Sequence, residues 1–135
     1  MRPSGVTETA VGFAASRADM DDVCRCLQLQ LDRAGIHRVD LLDLVGTMAP
    51  MADTLNSMTG HYVTEYPRCR EVLLADAAAT FLVDAIDAVL LRGFATPRIE
   101  LQASVRHAIH TIRHIDLLLN RVRSLPVDEM FTRDQ

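Results

Sequence analysis

The chain has 135 residues, enough for one domain with a real core, and its 49% apolar and 24% charged content is that of a globular protein. A formal charge of -4 gives no general pull toward nucleic acid or an anionic membrane, and all 14 basic residues are arginine, which excludes a mechanism built on a Schiff-base or phosphate-cradling lysine. Three cysteines at irregular positions, Cys24, Cys26 and Cys69, argue against a disulfide framework and for a reducing compartment; no apolar run reaches membrane-spanning length, so the expected location is cytoplasmic.

Residues 1–15 read as a flexible arm, whose apolar run from Val11 to Ala15 is too short for a signal-peptide core. Ser16 and Asp19 form a helix-start signal, a capping hydroxyl followed by an acid at the positive helix end. Met20, Cys24, Leu27, Leu31 and Ala34 then step by four, three, four and three. This predicts a first helix over 17–34, ended by Gly35.

Asp40 is the expected cap of a second helix, and Leu41, Val45, Met48, Ala52 and Leu55 continue the stepping. Pro50 lies inside the run, so the expectation is a helix over about 41–59, kinked or broken at Pro50 and terminated by Gly60. The stretch from Thr59 to Pro67, TGHYVTEYP, reads as a turn-like connector.

A third helix is expected over 67–92, stopped by Gly93. Between Val72 and Leu91 its only polar residues are Asp76, Thr80, Asp84 and Asp87. They are expected to form a narrow solvent-facing strip on a helix covered elsewhere. Thr96-Pro97 then combines a capping hydroxyl with proline at a first helical position. Leu101, Val105, Ala108, Ile112, Ile115, Leu119 and Val122 alternate four and three, giving a fourth helix over 97–124 and a frayed tail from Pro126. Residues 16–125 therefore read as a single all-α domain, an antiparallel bundle of about four helices expected to dimerise.

The fourth helix carries RHAIHTIRH, Arg106 to His114. At about 100° per residue, His107, His110 and His114 point roughly 110–170° away from the apolar seam, onto an outer face shared with Arg106, Arg113, Leu117 and Arg121. His110 and His114, one turn apart, could hold one metal ion together, but no motif marks a third ligand. The arginines lack the density and aromatic interleaving of a nucleic-acid surface, and histidine beside arginine is no general base without a positioned nucleophile. No enzyme and no cofactor is expected.

On the second helix, Met48, Met51, Leu55 and Met58 form a stripe spaced three, four and three, a soft surface suited to packing against a partner. The expectation is a non-enzymatic regulatory or adaptor protein, a homodimer that binds another protein through an apolar helical face. Its expected contacts are Met48, Met51, Leu55 and Met58, with Arg106, His110, Arg113 and Leu117 on the last helix. The alternative is a metal- or ligand-binding bundle using His110 and His114.

Overall fold

A computed structural model of the chain describes residues 17–35 and 37–125. They form four α-helices: α1, Arg17–Ala34; α2, Arg38–Glu65; α3, Arg70–Arg92; and α4, Arg98–Ser124. A single 3-10 turn, Gly93–Ala95, joins α3 to α4, and no strand occurs among the described residues. The expected arm and tail, and the expected cap Ser16, lie outside the described residues.

Neighbours in the bundle run antiparallel. Thr59 and Asn56 of α2 bond to Asp76 and Thr80 of α3, so α3 ascends as α2 descends. Arg92 meets Glu100 at the turn between α3 and α4, and Phe81 meets His107 three turns further down. Gln102 donates to the carbonyl of Gly35, while Cys24, one-half of α1 earlier, lies beside Arg113. The core is the inward stripe of each helix: Cys24, Leu27 and Leu31; Leu41, Val45, Met48, Ala52 and Leu55; Val72, Ala75, Ala79, Leu82, Ile86 and Val89; and the seam of α4 from Leu101 to Val122. The positions stepped by four and three in the sequence are the buried ones, as burial of one stripe per helix requires.

The second helix departs from expectation at both ends. It begins at Arg38 with His37 as its cap residue, and Asp40 lies in its first turn. Of the two arrangements expected at Pro50, a kinked helix or a break, the chain does not break and passes through Pro50 as one helix. Proline deprives the carbonyl of Gly46 of its bond, but Gly46 and Pro50 are both exposed, so that carbonyl stays open to solvent. Finally, α2 does not stop at Gly60 and runs on to Glu65, so most of TGHYVTEYP is helical. Tyr62, Val63 and Tyr66 pack against Cys69, Val72 and Val122 and close one end of the bundle. That apolar contact, with the stacked Tyr62–Tyr66 pair, outweighs the roughly 1 kcal/mol that an interior glycine costs.

Helix α3 begins three residues later than expected, with Cys69 as its cap residue. It ends at Gly93, whose φ of 51° makes the positive-φ stop that glycine tolerates. Thr96 is not a cap. The cap residue of α4 is Pro97, and the Thr96 hydroxyl is buried without a hydrogen-bond partner.

Candidate functional site

The four residues of the methionine stripe divide between the core and its edge. Met48 is 0% exposed and Leu55 is equally enclosed, both within the main cluster. Met51 and Met58 are half-buried and pack on that cluster. The physical reason is that the stripe is the inward face of α2, in phase with Leu41 and Val45. Met48 and Leu55 therefore hold the bundle together and are not presented to a partner.

The last helix places its residues as the periodicity requires. Arg106, His107, His110, Arg113, His114 and Leu117 are all exposed. The face divides along its length into two flanks. His107 leans toward α3, its ring edge-on to Phe81 at 6.3 Å between centroids. Arg113 leans the other way, into a cleft of about 250 Å³ between α1 and α4 that also contains Met20, Cys24 and Asp116. Burial pushes the Cys24 thiol up from its ordinary range, and the neighbouring Arg113 guanidinium pulls it partly back. His110 and His114 share the exposed face, but among the described residues no group of three or more histidine, cysteine, aspartate or glutamate side chains is placed to hold a metal ion.

The acidic strip of α3 divides. Asp76 is half-buried and accepts a 2.8 Å hydrogen bond from the Thr59 hydroxyl, and Thr80 donates to Asn56 at 3.1 Å, so these two border α2. Asp84 and Asp87 are exposed, as a solvent-facing strip requires. The outermost line is otherwise apolar: Leu74, Ala77, Phe81, Ala88 and Leu91, interrupted by Asp84, all exposed. Phe81 is 64% exposed at the middle of this ridge. Beside it, between α3 and α4, runs a mainly apolar groove of about 270 Å³, lined by Ala85, Ala103, Ser104 and His107 over a floor that includes Leu82 and Met48.

A second apolar surface caps the end of the bundle where α3 turns into α4. Leu91 is 89%, Phe94 63% and Ile99 73% exposed there. Arg38 donates from Nη1 to the Phe94 carbonyl at 3.2 Å, which draws the exposed Val39 alongside. Arg92 pairs with Glu100 at 2.6 Å on the rim. The apolar circumference of α3, Leu74 and Phe81 included, is what made it read as covered on most sides, whereas the end surface was not singled out. The ridge carried a signal, since its members also step by three and four, but Phe94 and Ile99 fall in and beside a turn and follow no period.

No helix among the described residues is long and apolar enough to cross a membrane. Comparison of the chain with protein-family models, with curated proteins and with solved structures gives no match.

Proposed function

We propose that the chain is a small, non-enzymatic regulatory or adaptor protein that forms a homodimer and binds another protein through an apolar helical surface. The observation that carries this reading is the end surface of Leu91, Phe94, Ile99 and Val39, exposed together and rimmed by Arg38, Arg92 and Glu100. Single exposed apolar side chains are ordinary on a folded protein. A contiguous group inside a charged rim is the composition of a protein-binding patch. The rim sets orientation and the apolar centre supplies affinity.

The test is affinity capture from the protein's own cells, wild type against the double variant Leu91→Glu/Phe94→Glu. Circular dichroism first establishes that both variants are equally helical. The expected result is a defined protein retained in fixed ratio by the wild type and lost with the double variant. Equal capture by both would remove the end surface from the function. Capture of nothing by either would refute the adaptor reading.

A further inference from the structure

The outer face of the α3–α4 hairpin is apolar, grooved and two-signed. The α3 ridge bears Leu74, Ala77 and Phe81, and its one charge is Asp84. The α4 ridge bears Ala103 and Leu117 with Arg106, His110 and Arg121, all exposed, and the acid that lines the groove, Glu100, is already held by Arg92. Two helices about 35–40 Å long, packed about 8–10 Å apart, present a footprint on the order of 700 Å². Covering it on two copies removes about 1,400 Å², within the size of a specific interface.

We infer that a second copy of this chain covers this face, packed so that α3 of each copy lies on α4 of the other, with Phe81 of each seated in the groove between α3 and α4 of its partner. This rests on the homodimer reading above and adds which faces meet. Two two-fold arrangements bury the face. In one the axis lies across the hairpin, setting α3 on α3 and α4 on α4; acid then meets acid, and arginine and histidine meet their like. In the other the axis runs along the hairpin and sets α3 on the partner's α4, opposite in charge and antiparallel. Charge selects the second.

The register of the hairpin fits that choice. An axis along the hairpin conserves height, so Phe81 of one copy arrives level with the partner's His107, the residue Phe81 already meets within its own chain. At that height the groove walls are the small side chains Ala85, Ala103 and Ser104, which leave room for a ring. Asp84 lies on the flank of α3 turned from α4. Arg106 lies on the flank of α4 turned from α3, the side where Arg113 enters the α1 cleft. The same axis brings those two flanks together, Asp84 level with Arg106 to within one turn.

Light scattering on the untagged full chain over a dilution series reads the state. Wild type is expected to be a dimer. Asp84→Arg and Arg106→Asp, both exposed and helix-neutral, are each expected to weaken association by at least about tenfold, because each homodimer then sets like charges together twice. An equimolar mixture of the two single variants is expected to recover the wild-type dimer. A monomeric wild type would overturn both this assignment and the homodimer reading. A dimeric wild type left intact by both substitutions would overturn the α3-on-α4 packing alone.

Discussion

The same substitution at two glycines should change stability in opposite directions. Gly60 and Gly93 both have open space where a Cβ would stand, with no atom within 4 Å, so steric contact cannot distinguish them. Backbone conformation does. Gly60 lies inside α2, five residues before its end, with ordinary helical geometry. Gly93 ends α3 at φ 51° and ψ -127°. Replacing Gly60 with alanine removes the entropy that glycine loses in a helix, about 0.8–1.0 kcal/mol. Replacing Gly93 forces a side chain to φ 51° with ψ -127°, outside the left-handed helical well and in the mirror-β region open mainly to glycine, which costs on the order of 1–3 kcal/mol, offset in part by a stiffer unfolded chain.

Urea titration followed by circular dichroism at one fixed protein concentration measures both. With a slope of about 1–3 kcal/mol per molar, Gly60→Ala should raise the midpoint by roughly 0.3–1 M. Gly93→Ala should lower it by a similar amount. Gly46→Ala, exposed in the same helix and equally unobstructed, should behave as Gly60→Ala does. A destabilised Gly60→Ala would mean that α2 ends at Gly60, as the sequence pattern suggested, and would refute the continuous helix. An unchanged midpoint for Gly93→Ala would refute the positive-φ stop.

Four further outcomes follow from burial. Thr96→Val should stabilise by about 1 kcal/mol, since it removes a buried hydroxyl that has no partner while keeping the shape; a comparable loss would reinstate Thr96 as a helix cap. Met48→Ala should cost about 2–5 kcal/mol by thermal or urea unfolding, and Met58→Ala clearly less, because only Met48 is fully enclosed; equal small effects would return the methionine stripe to the surface. In native protein a thiol reagent should modify Cys26 quickly and reach the buried Cys24 and Cys69 only on unfolding. Cys24 also gives a pH sign: burial raises its folded pKa, so its contribution is fully present below the ordinary thiol range and is lost as pH climbs through the higher folded value. Cys24→Ala should flatten that alkaline loss, and an unaltered slope would assign it to another group.

Much of the fold was legible because burial in a bundle writes a period into the chain. The inward stripes of α1 and α4 and the stop at Gly93 were readable within a residue or two. The misreadings share a cause, namely local signals overridden by packing. Gly60 and the TGHYVTEYP connector carry turn chemistry, yet Tyr62, Val63 and Tyr66 gain an apolar seat only if the helix continues. Thr96 has capping chemistry, yet it is pressed into the interior one position too early. Pro50 lowers helix propensity, but the run keeps its phase across it and the lost bond falls on the exposed side. The methionine stripe was ambiguous for a related reason: methionine suits a core gap and a binding surface equally, and only packing shows that Met48 and Leu55 lie in the core while Met51 and Met58 lie at its edge.

Helix α3 shows why an apolar surplus was legible while its inner and outer stripes were not told apart. Its buried residues Val72, Ala75, Ala79, Leu82, Ile86 and Val89 step by three, four, three, four and three. The exposed ridge Leu74, Ala77, Phe81, Asp84, Ala88 and Leu91 follows the same steps, displaced by two residues. Two residues are about 200° on a helix, so the stripes lie on opposite faces, and periodicity gives both the same score. Only chemistry separates them: the inner stripe is apolar from Val72 to Val89, with its one acid, Glu71, at the helix start, while the outer has Asp84 at its centre and a phenylalanine where the inner has alanine or leucine. A helix at the rim of a monomer needs one apolar stripe. A helix with two, back to back, has the pattern of one packed between layers, and the described residues supply only the inner layer. Asp84 then limits what the outer layer can be. A purely apolar ridge would pair with any greasy helix, but a carboxylate at its middle favours a basic partner at one height, and in the proposed dimer Arg106 on α4 of the second copy would stand at that height.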